Sequence, residues 1–420
     1  MRIRLLAATL AGLAWGAAEA RTSVTIACGS VGIEAQLCRE GAEAWAERTG
    51  NAVSLVSTPP SATDRLALFQ QLLAARASDI DVFQVDVVWP GMLAAHLTDL
   101  SEHIDRATVA LHFPALIANN TVNGRLVALP WFTNAGLLYY RRDLLEQHGR
   151  SVPTTWAELE ESARTIMRAE RAAGRERMWG FVFQARAYEG LTVNALEWIE
   201  SHGGGRIVEA DGRITIDNPR AVAALTRAAG WIGTIAPRGV LTYAEEEARG
   251  VFQTGDAVFM RNWPYAWPLA NAEDSPVRGR VGVAVLPKAE GGRHTAGLGG
   301  EMLAVSRYST RVAAAVDLVR FLTSAEEQKR RAITGGFNPT LAPLYEDAEV
   351  LAANPFFAEL REVFMAAVAR PSDATGARYN QVSAAFYNAV HAILSGDAEA
   401  GPALARLERT LMRLRRGDRW

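Results

Sequence analysis

The chain has 420 residues, with 44 basic against 46 acidic side chains and a formal net charge of −2. Both signs are mixed along the sequence, so no basic stripe marks a nucleic-acid surface. The length exceeds what one hydrophobic core holds and calls for two or three domains.

Residues 1–20 read as a secretory signal peptide. MRIR carries two arginines, LLAATLAGLAWGA is a short apolar run, and Ala18-Glu19-Ala20 offers a small-x-small cleavage site before Arg21. No later stretch reaches the roughly 18 uninterrupted apolar residues of a membrane helix. The mature chain is therefore expected to be exported and soluble. Cys28 and Cys38 lie close together near its start, and in an oxidising compartment they suggest a disulfide. Two buried free thiols are a second reading. A lipid anchor on Cys28 is a third, for which the preceding TIA is a poor signal.

The first half alternates strand and helix. SVTIAC is a strand, EAQLCREGAEAWAERTG a helix stopped by Gly50, and AVSLVS a strand. A helix follows over about 64–76, then the apolar strand IDVFQVD. This alternation predicts a largely parallel sheet covered by helices. NGRLVALPWFTNAGLLYYRRDLL places two strand-like runs around Pro130. Thr155 and Glu158 form a capping box before WAELEESARTIMRAERAAG. A second α/β region has a helix over 191–202, a Gly203–Gly205 stop, an Asp211-Gly212 turn, and Asn218-Pro219 opening the next helix. DAVFM, VGVAVLP and GLGGEMLAVS return to strand, RVAAAVDLVRFLTS is an amphipathic helix, Ser324 and Glu327 cap another, and from Asn354 the pattern is almost wholly helical. Two α/β lobes crossed more than once by the chain make a cleft whose walls come from distant sequence, a favoured place for ligands.

Catalytic signatures are absent: no GxGxxG after a strand, no GxxxxGK[ST], no GxSxG, no HExxH, and no histidine at metal-ligand spacing. The acidic run AEEEAR (244–249) and the basic RLERTLMRLRRGDR read as solvated helix faces. What stands out is RNWPYAWP (261–268), where two tryptophans and a tyrosine sit among prolines behind Arg261-Asn262; PWF (130–132) is a smaller case. The segment is too kinked for a helix interior. An aromatic face beside planar hydrogen-bonding groups suits a pyranose, whose C–H patches pack on a ring while its hydroxyls need partners. The alternative for these rings is core filling between the lobes.

With these residues in view, the chain resembles the periplasmic solute-binding proteins of sugar ABC importers, specifically the trehalose/maltose-binding branch. The resemblance runs over essentially the whole mature chain. Its specific pieces are DVFQVDVVWPG (81–91), LVALPWFTNAGLLYYRRDLL (126–145), WGFVFQARAYEGL (179–191), RNWPYAWPLANAEDSP (261–276) and VGVAVLPKAEGGRHTAGLGG (281–300). It implies the two-lobed type II periplasmic-binding-protein fold, similar to maltose-binding protein, with a helical C-terminus. Three hinge crossings are expected near 129–135, 296–301 and 338–341. The lobes would be 21–131 plus 301–340, and 132–300 plus 341–420. It also implies a monomer that closes on a small carbohydrate and docks on a membrane permease, with no catalysis, metal or cofactor.

Carried over by position, Glu34 and Asp86 are expected to bind sugar hydroxyls and Arg65 and Arg370 to reach into the cleft. Ser61 is a candidate hydroxyl donor. Trp263 is expected to stack on a sugar ring and Tyr265 to add a hydroxyl, while bare backbone at Gly300 approaches the ligand. Trp267 is left with packing. The plainer alternatives are a helix-start acid for Glu34, a surface ion pair for Arg65, a strand-end cap for Asp86, a hinge glycine for Gly300 and a helix cap for Arg370. Two positions depart from the branch. Asn134, with Phe132 as an aromatic wall, stands where a carboxylate is usual, and Glu301 stands where a stacking tryptophan is usual. The sugar is therefore open: an α-glucoside such as trehalose, maltose or sucrose, or a different sugar, amino sugar or polyol. A secreted carbohydrate-active enzyme and a partner of a membrane sensor are the readings from other classes.

Overall fold

The computed structural model describes residues 21–359, 367–415 and 420. The signal-peptide reading of residues 1–20 and part of the helical C-terminal pattern, residues 360–366, lie outside the described residues. Among the described residues, eleven strands run in chain order: β1 (Ser23–Cys28), β2 (Ala52–Ser57), β3 (Val82–Asp86), β4 (Thr121–Val122), β5 (Arg125–Leu126), β6 (Leu129–Ala135), β7 (Leu137–Arg141), β8 (Trp179–Val182), β9 (Ala257–Asn262), β10 (Val281–Ala284) and β11 (Leu298–Val305). One sheet has the order β2-β1-β3-β11-β6, another the order β10-β7-β9-β8, and β4 and β5 form a small ribbon. In the first sheet β1, β2 and β3 are parallel, and β11 runs antiparallel to both its neighbours.

The first sheet is covered on both faces. Ile26 points to a core with Leu37, Trp45 and Leu318, while the next residue, Ala27, points to one with Phe69, Phe83 and Val85. A strand buried on both sides must be continuously apolar, and all five residues of β3 are buried. Of its two polar members, Gln84 accepts a hydrogen bond from the Gly29 N–H at 2.7 Å and Asp86 ends the strand. Helix α1 (Glu34–Thr49) stops at Gly50, whose φ of 74° supplies the left-handed C-cap. Around the second sheet, Trp156, Trp198 and Trp231 share one core with Phe386, Leu404 and Leu411 from the helices Tyr379–Ser395 and Ala400–Leu414.

Local signals mark the helix starts. Thr155 and Glu158 make the reciprocal capping box, and Asn218 accepts from the N–H groups of Arg220 and Ala221. Ser324 caps its helix, but Glu327 turns to Arg330 instead. The helix expected over 191–202 begins earlier, as Glu189–Ser201. A short helix, Ala266–Ala270, forms inside the aromatic segment, against the expectation from its prolines. Pro268 falls in its first turn, where an N–H has no intrahelical acceptor to lose.

The chain passes between lobes at Gly136, between β6 and β7, and returns between β10 and β11. A third strand of contact joins Asn338 to Thr133 and Leu341 to His112. Beneath the first two passages lies a fully buried ion pair. Glu197 accepts from Arg261 Nε at 2.9 Å and Nη2 at 2.5 Å, and from the Gly297 N–H at 2.9 Å. A β-carbon at position 136 would collide with the same carboxylate, so only glycine lets the chain cross there. Removing one member of a buried pair strands the other. Glu197→Ala should lose about 3–5 kcal/mol of unfolding free energy in a denaturant melt; a loss below about 1 kcal/mol would show that the pair does not brace the crossings.

Candidate ligand-binding cleft

A cavity with about 620 Å³ of atom-free space, its mouth included, opens between the lobes. From the first lobe come Glu34, Arg65, Asp86, Phe132, Asn134, Gly300 and Glu301, because β6 and β11 lie in the first sheet and carry 132–135 and 298–300 there, against the expected boundaries; from the second come Glu189, Glu245, Trp263, Tyr265 and Arg370. Glu34 sits in the first turn of α1, and the Cys28–Cys38 disulfide ties that helix to the end of β1. The bridge closes the loop that presents the carboxylate. Glu34 also accepts from the Val31 N–H at 3.3 Å. Ser61 departs from its expected role. It caps α2 (Ala62–Ala74) by accepting from the Asp64 N–H and does not line the cavity.

Arg65 pairs with Glu301 and lies over the Trp89 ring at 5.1 Å. Burial pushes the Glu301 carboxyl up to about 8; Arg65 opposes this, while Asp86 and Glu34 add to it. Burial also raises Glu34, against the attraction of Arg65 and Arg331. Asp86 ends β3, accepting from the Val88 N–H at 3.1 Å and from Arg370 Nη2 at 2.9 Å. Arg370 Nη1 donates to Glu189 at 2.8 Å, so one guanidinium ties a first-lobe carboxylate to a second-lobe one. Burial disfavours its charge, but the attraction of Asp86, Tyr379 and Glu189 outweighs that and raises its pKa.

Trp263 is half-buried. The Arg261 guanidinium covers its ring at 4.0 Å, and its Nε1 donates to Glu245 at 3.4 Å. Arg261 and Asn262 do not line the cavity. Arg261 is held by Glu197, and Asn262 accepts from the Trp263 N–H at 2.8 Å and donates to the Glu245 carbonyl. Tyr265 lines the cavity, but its hydroxyl already donates to Glu246 at 2.6 Å and its ring packs against Gly32 of the first lobe. Trp267 packs on Phe356 and donates to the Ala353 carbonyl. Gly300 has φ of 134°, and a β-carbon there would meet the Phe132 carbonyl oxygen at 2.6 Å. Backbone crowding from β6 already requires glycine at this position.

Sequence reasoning missed Glu189, Glu245, Tyr188 and Phe337, which also line the cavity. Glu245 belongs to the acidic run read as a solvated face; it opens the helix Glu245–Gln253 and turns inward beside Trp263. Phe337 packs at a tilt against Phe132, with ring centroids 4.6 Å apart. Five carboxylates thus face two guanidiniums, and both guanidiniums are already engaged. Among the described residues, the buried atoms Arg65 Nε, Arg370 Nε, Asn134 Oδ1 and Glu301 Oε2 have no protein partner. No cluster of His, Cys, Asp and Glu among these residues could hold a metal, and none of their helices is long and apolar enough to cross a membrane.

A carboxyl with a raised native pKa binds more protons folded than unfolded between about pH 4.5 and about 8. Stability from Glu301 therefore falls as pH rises through that window. Glu301→Gln removes the slope. The melting temperature of the variant relative to wild type should rise from about pH 5 to about pH 8; a constant difference would place the Glu301 pKa near its ordinary value.

The chain matches the model of the bacterial extracellular solute-binding protein family over residues 35–329. It is 52% identical over 417 residues, 99% of each chain, to a probable ABC transporter-binding protein of Deinococcus radiodurans. It superposes on maltose-bound MalE3 of T. maritima with a TM-score of 0.89 at 41% identity, covering 94% of this chain and 100% of that one. A solute-binding protein from Agrobacterium radiobacter K84, in complex with ribitol, shares the fold at a TM-score of 0.82 and 22% identity over 94% of this chain and 98% of that one. The members of this family are capture proteins, not enzymes. The two-lobed fold, the cavity between the lobes and these matches agree: the chain belongs to the bacterial extracellular solute-binding proteins.

Proposed function

We propose that the protein is the sugar-capturing subunit of an ABC importer. Residues 1–20 direct export and are removed, and the mature monomer works in the periplasm. It closes its lobes over a small carbohydrate and delivers it to a membrane permease. Closure turns on the crossings at 129–135, 296–301 and 338–341, the usual form of a hinge motion.

The observation that carries this reading is the pairing of an aromatic face with orphaned polar atoms. Trp263 has Arg261 behind it and the cavity before it. Among the residues lining the same cavity, two buried donors, two buried acceptors and the Tyr188 hydroxyl have no protein partner. Leaving such atoms unmatched costs about 1–3 kcal/mol each. Sugar hydroxyls both donate and accept, so a ring stacked on Trp263 can satisfy both kinds. The ligand we favour is a small α-linked glucoside of the trehalose, maltose or sucrose kind, and the maltose in the 41% identical MalE3 supports it. A second reading, a ligand with an amino group, draws on the excess of carboxylates and on Asn134 and Glu301, which depart from the disaccharide pattern.

A sugar panel in a thermal-shift assay tests the class, because a ligand of the folded state raises the melting temperature by mass action. Shifts from amino acids or peptides alone, with none from any sugar, would defeat the reading. Trp263→Ala should weaken the best sugar by about 100-fold in calorimetry, since the ring's buried face is lost, while the fold melts near the wild-type temperature. Unchanged affinity would remove Trp263 from the site. Glu301→Trp should move the ranking toward trehalose and maltose; an unchanged order would show that position 301 does not select the sugar.

A further inference from the structure

Helix α1 presents Glu34 to the cavity from its first residue, where a helix is least secure. The N-cap residue, Ile33, makes no side-chain cap. The first N–H groups of a helix have no intrahelical acceptors, and an uncapped end frays. Glu34 is tied to its own turn by its N–H, which donates to the Val31 carbonyl at 3.1 Å, and by its carboxylate, which accepts from the Val31 N–H at 3.3 Å.

Cys38 lies four residues beyond Glu34, so the two side chains stand one above the other on the same helix face. Both belong to the buried stripe Glu34, Leu37, Cys38, Gly41, Ala42 and Trp45. The disulfide fastens that face to Cys28, with 6.5 Å between the α-carbons. Cys28 is itself held. It ends β1 opposite Ser57, and its carbonyl accepts from the Thr58 N–H at 3.1 Å and from the Thr58 hydroxyl at 2.8 Å. The residues between the cysteines also press on the site. The Gly29 N–H donates to Gln84 at 2.7 Å, and a β-carbon at Gly29 would strike the Glu34 carboxylate and the Arg65 guanidinium. A β-carbon at Gly32 would strike the Tyr265 ring of the second lobe. Turning α1 by one residue, about 100°, would carry Glu34 off the cavity wall.

We infer that the Cys28–Cys38 bridge is a positioning element of the ligand site: it fixes the rotation of α1, and ligand affinity depends on it through Glu34. The inference rests on the cleft being the sugar site, but the placement of Glu34 is measurable without ligand. A bridge that only restrains the unfolded chain would lower the melting temperature and leave the affinity of the folded protein unchanged.

The test compares wild type, Cys28→Ala/Cys38→Ala, Glu34→Gln and the triple variant, with maltose in calorimetry at a temperature where all are folded. Glu34→Gln and the alanine pair should each lose about tenfold in affinity, and the triple variant also about tenfold, because the bridge acts through a group already removed. Losses that multiply to about 100-fold in the triple variant overturn the inference, as does unchanged affinity in either parent. Amide hydrogen exchange without ligand should quicken about tenfold or more at Val31, Glu34 and Leu37 in the alanine pair, with β3 unchanged. No change there, or an equal change in β3, overturns the inference. If the alanine pair does not fold, Cys28→Ala/Cys38→Val restores more of the lost volume. Failure of both to fold makes the bridge a requirement of the whole lobe and overturns the inference too. The local exchange response in a protein whose wild type binds no sugar would sustain the placement of Glu34 by the bridge and defeat the sugar reading instead.

Discussion

The Glu197–Arg261 pair is the constraint on which the rest of the molecule depends. Its carboxylate lies under Gly136, where the chain leaves the first lobe, and binds the N–H of Gly297, where the chain returns. Its guanidinium forms the floor on which Trp263 rests. One buried pair therefore sets both the spacing of two passages and the height of the aromatic wall. An ion pair wholly removed from water tolerates little displacement, because each charge has few other partners. The bracing of the two passages and the placement of the Trp263 ring therefore have a common origin.

A second layer of charge spans the cleft. Arg370 holds Asp86 from one lobe and Glu189 from the other, and Glu189 is further gripped by Tyr379 and by Ser383 at 2.6 Å. At the rim, Arg186 faces Asp64 at 3.6 Å, and the Glu189 N–H donates to Thr63 at 3.1 Å. These contacts join the lobes directly, so the structure holds a closed arrangement. Any group that approached Asp86 would have to share it with Arg370.

The α/β order of the lobes was legible because it rests on local rules. The apolar run of β3, the glycine stop of α1 and the Thr155–Glu158 box all report near neighbours in the chain. The aromatic segment stood out in the sequence, but the short helix Ala266–Ala270 within it and the packing of Trp267 on Phe356 did not. What escaped was the division of labour within it. Arg261 and Asn262 stand before Trp263 in sequence yet serve as its support, because their partners, Glu197 and the carbonyl of Glu245, are distant in the chain. Glu245 looked like part of a solvated run because the residue that draws it inward, Trp263, stands on another segment of the chain. Ser61 shows the reverse case. A serine beside a predicted helix was assigned to ligand when its local role as a cap was sufficient.

The central claim is that a neutral carbohydrate lies between the lobes, stacked on Trp263 and bonded to carboxylates of both. A co-crystal structure with whichever sugar most raises the melting temperature tests it most directly. The account predicts one sugar ring over the Trp263 face, with hydroxyls on Asp86 or Glu34 from one lobe and on Glu245 from the other. Sugar density elsewhere on the protein, with the face of Trp263 left bare, would contradict it.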